Sequence, residues 1–228
     1  MVMSLLSLFF PPHCPYCGVL IDSGHECASC RRQFPDGIYG RRLSDQTICV
    51  APFRYDGPVQ KNILLMKKDG QHIRFDSLAE QMARVVQQFG IVPDVVTDVP
   101  MYWLSKGQRG YNQSEELARR TAKRCGCPYE PLLKKCRKSK VQHTLNAEQR
   151  HTNVQGIYAV RSPQKIQGRH ILLVDDVCTT GSTMEVCTAL LRQNGAESIT
   201  CVAAAIAGEN DTYYLMSPEQ AAQHLFPR

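Results

Sequence analysis

The most constraining stretch of this chain is HILLVDDVCTTGST, His170 to Thr183. Ile171, Leu172, Leu173 and Val174 form an uninterrupted aliphatic run, the pattern of a strand buried on both faces of a parallel sheet. A strand of that kind needs covering helices on both sides, which commits the chain to an α/β architecture. Two adjacent carboxylates, Asp175 and Asp176, end the run, and a loop of small polar residues leads into a helix. In open α/β sheets ligands bind at the carboxyl ends of the strands, which is where the motif delivers its acids.

The loop has the chemistry of an anion cradle. Free backbone N–H groups, the positive end of a helix and the hydroxyls of Thr179, Thr180, Ser182 and Thr183 all favour a phosphate. Cys178 opens the loop, Gly181 permits close approach to the backbone, and Ser182 with Glu185 has the spacing of a capping box. Asp175 and Asp176 would repel that phosphate, so they need a neutral or cationic partner beside it: vicinal ribose hydroxyls or Mg²⁺. The implied ligand is a sugar phosphate. A turn that merely caps a helix is the simpler alternative, but paired carboxylates at a buried edge are costly without a partner.

The remaining pattern alternates strands and helices, as βαβ units do. Strands are expected at about 47–55, 94–99, 130–136, 157–161 and 198–206, with helices at 58–68, 76–89, 113–125 and 183–194. Asn112 is the expected N-cap of the helix at 113, with Glu115 three residues on. Residues 1–44 are expected to form a short helix and a cysteine module, 45–208 the main domain and 209–228 a polar tail. The apolar run Met1 to Phe10 has no preceding Lys or Arg and no small-residue cleavage site after it, and it is too short to span a bilayer. A packed amphipathic helix, no membrane insertion and a cytoplasmic location are therefore expected.

Four of the eleven cysteines form two CxxC pairs, Cys14 with Cys17 and Cys27 with Cys30, separated by nine residues. That spacing points to one tetrahedral zinc ion held by four thiolates, a structural site with no open position. A redox pair or free thiols are the alternatives, and His13 or His25 could replace one cysteine. The aliphatic-poor segment around the quartet would need the metal to fold.

The net charge of +6 arises in one place, because residues 101–150 carry 12 basic and 4 acidic side chains. A concentrated excess points to a specific anionic ligand rather than a diffuse polyanion affinity. Within it, Lys106 and Arg109 lie on a Gly-bracketed loop opposite the acid pair, where they could hold pyrophosphate, and Lys134 to Lys140 form a second basic run. Tyr102, Trp103 and Tyr111 interleave with these cations as a single-strand nucleic-acid groove requires, although packing aromatics would look the same.

LLVDDVCTTGST resembles the signature with which type I phosphoribosyltransferases bind 5-phosphoribosyl-1-pyrophosphate (PRPP). With FPPHCPYC and its second CxxC, the segment KGQRGYNQ from Lys106 to Gln113, and a region of Gln142, Leu145, Arg150, Asn153, Val154 and Gly156, the chain resembles the ComF family of competence-associated proteins. Lys67 also falls where that family usually carries a lysine after an apolar helix.

The resemblance implies a type I phosphoribosyltransferase fold, mainly parallel and flanked by helices, with a small N-terminal zinc ribbon. It implies PRPP with Mg²⁺ as ligand, with Asp175 and Asp176 on the ribose or metal, residues 178–183 on the 5-phosphate, and Lys106 and Arg109 on pyrophosphate. It also implies handling of single-stranded DNA during natural transformation, near a competence helicase, with Lys106, Arg109, Lys138 and Lys140 as DNA or pyrophosphate contacts. An active transferase with an unknown acceptor base, and a catalytically silent PRPP sensor, are the competing functional expectations.

Overall fold

A computed structural model of the chain describes residues 12–35, 37–102, 110–137, 156–208 and 214–216. The strand expected from the aliphatic run is β7 (His170–Cys178), longer than the run itself because it carries both acids and Cys178. It pairs in parallel with β4 (Val95–Asp98) on one side and β8 (Ser198–Ile206) on the other. On its far side β8 pairs in parallel with β2 (Ile48–Ala51) and then β3 (Phe53–Arg54), which share the edge expected for a single strand.

Two strands extend the sheet from segments whose composition gave no strand signal. Antiparallel to β2 runs β1 (Ile38–Arg42), and β9 (Tyr214–Met216) pairs antiparallel with β1, giving the order β4-β7-β8-β2-β1-β9. The first lies in the segment assigned to the cysteine module and the second in the polar tail. Neither stretch alternates cleanly; β1 lies between β2 and β9, and each is specified by its neighbouring strands.

Helices α2 (Gly57–Asp69), α3 (His72–Gln88) and α4 (Gln113–Cys125) follow the four-residue α1 (Ala28–Arg31), and α5 (Ser182–Gln193) follows β7. One apolar cluster joins α2, α3 and α4 to a sheet face through Met66, Phe75, Leu78, Met82, Leu117 and Leu172. The other joins α5 to the opposite face through Met184, Cys187, Leu191, Leu173 and Cys201. A separate hairpin of β5 (Leu133–Lys135) and β6 (Tyr158–Val160) packs into that second cluster. The alternation of two apolar sets along β7 and β8 is why both strands read as continuous hydrophobic runs.

The cysteine module sits on α3. Tyr16, Phe34 and Phe53 stack edge to face, with centroids 4.9–6.1 Å apart. The buried Glu26 carboxylate accepts from Gln81 at 3.2 Å and from Arg31 at 3.1 Å, and the Ser77 hydroxyl lies 3.0 Å from both Glu26 and the Tyr16 hydroxyl. Among the described residues, no helix is long and apolar enough to cross a membrane.

Candidate functional site

Three carboxylates gather at the carboxyl edge of the sheet. Asp98 ends β4, opposite Val174 of β7, and Asp175 and Asp176 follow on β7 itself. Each has a partner from the helices that cover this edge. Asp98 accepts from the Asn112 side-chain amide at 2.8 Å and from the Tyr129 hydroxyl at 2.7 Å. Asp175 accepts from the Ser114 hydroxyl at 2.7 Å and from the Asp176 backbone N–H at 2.8 Å. Asp176 pairs with the Lys67 ammonium at 2.7 Å.

Burial, and then the charge of Asp176 beside it, push the Asp175 carboxyl up to about 7, against the opposing effects of Ser114, the Asp176 N–H and Lys67. A carboxyl poised there changes protonation near neutrality, as perturbed groups at functional sites do.

The expected N-cap at Asn112 is present: its side-chain oxygen accepts from the Ser114 N–H at 3.2 Å while its amide holds Asp98. The stretch from Tyr111 to Ser114 therefore works in part as a fastener. Tyr111 donates its hydroxyl to the Met66 carbonyl at 2.6 Å and stacks edge to face on Phe75 at 5.7 Å, so this aromatic packs helices and is not a platform for a base. Gly70, which ends α2 at φ +65°, lies so close to the Tyr111 ring that an added Cβ would stand 2.8 Å from it.

The phosphate-type loop leaves β7 and enters α5. Thr179, Thr180, Ser182 and Thr183 are exposed, and Gly181 is buried against Leu43 at φ +83°. The expected capping box is absent. Gly181 is the N-cap and has no side-chain cap, Ser182 already belongs to the helix, and Glu185 accepts from the Ser44 N–H at 2.8 Å. The physical reason is the left-handed turn at Gly181, which places the helix start one residue earlier than the serine spacing suggests. The Ser182 N–H reaches only the Thr180 hydroxyl, at 3.4 Å, and a start with no N-cap side chain favours an anion. Cys178, expected to open the loop, is instead the last residue of β7: it is 2% exposed, its thiol packs among the core cysteines and its carbonyl accepts from the Ala207 N–H at 2.9 Å.

The hairpin contributes two groups to which the sequence assigned no individual role. Lys135, half-buried over the Tyr158 ring at 5.0 Å, is pushed down by burial against the opposing charges of Cys187 and Asp175. Tyr158 interacts with Thr183 and is pushed up by burial. Lys135 falls within the basic run that starts at Lys134. Ser114 and Lys67 were closer to legible, one adjoining RGYNQ and the other following an apolar helix.

Part of the basic excess is spent on packing. Arg119, Arg120 and Arg124 of α4 pair with Glu115, Glu116 and Asp76. Lys106, Arg109, Lys138 and Lys140 lie outside the described residues.

In the cysteine module the four Sγ atoms of Cys14, Cys17, Cys27 and Cys30 lie within 4.8 Å of one another, Cys17 and Cys27 at 3.7 Å. Zinc–sulfur bonds of about 2.3 Å in a tetrahedron place sulfurs about 3.8 Å apart, so the quartet fits one such ion. The Cys30 N–H aimed at the Cys27 sulfur leads in lowering that thiol to about 7. His25 faces Glu80 at 3.6 Å, and the cluster consists of cysteines alone among the described residues.

Comparison with known proteins finds a match to the phosphoribosyl transferase domain over residues 111–216, from the α4 entry through β9. The chain is 29% identical over 196 residues to the DNA utilization protein YhgH of Salmonella typhi, covering 82% of this chain and 80% of that one. It is 27% identical over 195 residues to the competence protein F of Haemophilus influenzae, covering 82% of each. Over 130 residues it is 31% identical to an adenine phosphoribosyltransferase of Dichelobacter nodosus, covering 55% of this chain and 64% of that enzyme.

Proposed function

We propose that this chain, which belongs to the ComF family of phosphoribosyltransferase-fold proteins, binds PRPP at the β7 edge and serves the handling of single-stranded DNA during DNA uptake. The observation that carries the ligand reading is the junction of β7 and α5. Two carboxylates stand beside a helix start that has no side-chain cap, with four exposed hydroxyls between them. The N–H groups and hydroxyls of residues 179–183 bind the 5-phosphate, and the Asp175 and Asp176 oxygens accept from the ribose hydroxyls. Lys106 and Arg109 complete the site on the pyrophosphate. When a Mg²⁺ ion accompanies PRPP, the chemistry it supplies is neutralisation of the pyrophosphate charge.

The geometry suits C1–O cleavage. Asp175 and Asp176 fix the ribose, and their negative charge favours a cationic C1 as the leaving group departs. Ser114 and Lys67 keep the two carboxylates in place through hydrogen bonds of 2.7 Å. The same binding steps serve a PRPP sensor that performs no transfer, and the acceptor base is left open.

The role in DNA uptake rests on the similarity to a DNA utilization protein and a competence protein. A cytoplasmic protein with a zinc ion on its cysteine quartet, meeting a competence helicase on the incoming strand, fits that role. Lys138 and Lys140 are its candidate DNA contacts, together with the Lys106 and Arg109 loop.

The test is a titration of the wild type and an Asp175→Asn/Asp176→Asn variant with PRPP·Mg²⁺ and, separately, with a single-stranded oligonucleotide. The reading expects PRPP binding that the double substitution abolishes and oligonucleotide binding that weakens steeply with salt. Wild-type protein that does not bind PRPP removes the transferase and sensor readings together. Oligonucleotide binding with an unchanged salt slope in a Lys106→Ala/Arg109→Ala/Lys138→Ala variant removes the basic groove.

A further inference from the structure

The turn between β1 and β2, residues 43–47, grips the start of α5 from outside. The Leu43 side chain closes on Gly181, where an added Cβ would stand 2.5 Å from it. The Ser44 backbone N–H donates to the Glu185 carboxylate at 2.8 Å. Asp45 accepts from the Thr188 hydroxyl at 2.7 Å and pairs with Arg192, which also donates to the Thr47 hydroxyl at 2.6 Å. Asp45 closes the turn on itself as well, accepting from the Thr47 N–H at 2.9 Å and from the Thr47 hydroxyl at 2.8 Å.

The backbone is strained where it makes this grip. Gln46 stands at φ +67°, the one non-glycine residue in the left-handed region among the described residues. That conformation is costly for a residue with a side chain and persists where surrounding contacts over-determine it. Leu43 and Asp45 account for packing the turn on α5, and the Ser44 contact does something further. Glu185 is an acid in the first turn of α5, and the positive end of the helix draws such a carboxylate toward the N–H groups that an anionic ligand would use. Its carboxylate accepts from the turn instead, and among the described residues no hydrogen bond joins it to the N–H groups of residues 179–183.

We propose that the β1–β2 turn positions the 5-phosphate loop by keeping it empty of the protein's own acid. The Ser44 N–H holds the Glu185 carboxylate away from the start of α5, and Asp45 is the positioning residue that fixes the turn within reach of Glu185. The inference rests on the PRPP reading and extends it to how the loop is kept open. Released from Ser44, Glu185 competes with the ligand's phosphate for the helix start.

The experiment titrates wild type, Ser44→Pro, Asp45→Asn, Glu185→Ala and the doubles Ser44→Pro/Glu185→Ala and Asp45→Asn/Glu185→Ala with PRPP·Mg²⁺ and with ribose 5-phosphate. Ser44 is the second residue of a turn closed by the Gln46 N–H on the Leu43 carbonyl at 3.0 Å, a position that suits proline, so Ser44→Pro removes the N–H alone. Thermal melting shows which variants are folded, and the Asp45→Asn pair carries the comparison if Ser44→Pro is not. Ser44→Pro and Asp45→Asn are expected to weaken both ligands by about five- to tenfold, by the same factor because both carry the 5-phosphate. Removing Glu185 from either variant should bring binding back to within about twofold of Glu185→Ala alone. A turn that only packs would not be rescued in this way, so a loss that persists in the doubles overturns the proposal, as does unchanged binding in folded Ser44→Pro or a loss confined to PRPP. Wild-type protein that binds neither ligand would instead overturn the reading of the site.

Discussion

Replacing Gly181 by alanine tests the loop at its most constrained point. The residue sits at φ +83°, and an added Cβ would stand 2.5 Å from Leu43 Cδ2. A side chain forced into the left-handed region costs about 1–2 kcal/mol. Leu43 is 3% exposed, so it has little room to swing away, and overpacking of a filled core adds about 1–3 kcal/mol. The two effects sum to roughly 2–5 kcal/mol, which for a chain of this length lowers Tm by roughly 4–20 °C. Denaturant melts of Gly181→Ala, Leu43→Ala and the double variant separate the contributions. Leu43→Ala alone should cost about 2–5 kcal/mol through its cavity. In the double variant the alanine methyl enters the space the leucine left, so its loss should fall short of the summed single losses by about 1–3 kcal/mol. Losses that add to within about 0.5 kcal/mol would show that Leu43 does not confine the loop and would refute the steric argument.

Asn112→Ala removes an N-cap and a side-chain donor to buried Asp98, so a loss of about 2–4 kcal/mol is expected in the same melts. Asp175 binds more protons folded, with its carboxyl at about 7, than unfolded at 3.8; stability should therefore fall as pH rises from about 4 to 7, and Asp175→Asn should flatten that slope. PRPP affinity should move the other way, rising with pH up to about 7, because ribose hydroxyls donate to the ionised carboxyl; a pH-independent Kd measured by titration would contradict it. Metal analysis after chelator-free purification should give about one zinc ion per chain, and a strong chelator should lower Tm by loosening the module from α3; a chelator-insensitive melt would argue for free thiols.

The residues that defined the fold did so through local pattern. The run Ile171 to Val174 can be buried only between two helical layers, and Ser198 to Ile206 repeats its character, so the parallel core was readable from the chain alone. The CxxC spacing likewise sets four sulfurs around one point, and the structure brings them together. The acid pair and the hydroxyl loop were legible because strand and loop are contiguous in sequence.

Pairings between distant segments were not legible. Neither β1 nor β9 carries a pattern of its own; each exists because a neighbouring strand offers hydrogen bonds. Glu185 had the spacing of a capping residue, but it holds Ser44 once the turn at Gly181 has set the helix start. Three α4 arginines counted as ligand charge turn toward acids on α3 and α4.

The sequence by itself determined the sheet core, the cysteine quartet and the presence of two carboxylates beside an anion cradle. Only the tertiary structure decided what those carboxylates meet, because Lys67, Ser114 and Lys135 approach them from elements 40 to more than 100 residues away. Local pattern follows from backbone geometry and burial over a few residues. A charge partner is set by where separate helices and hairpins come to rest against one strand end, and chain order alone does not specify that.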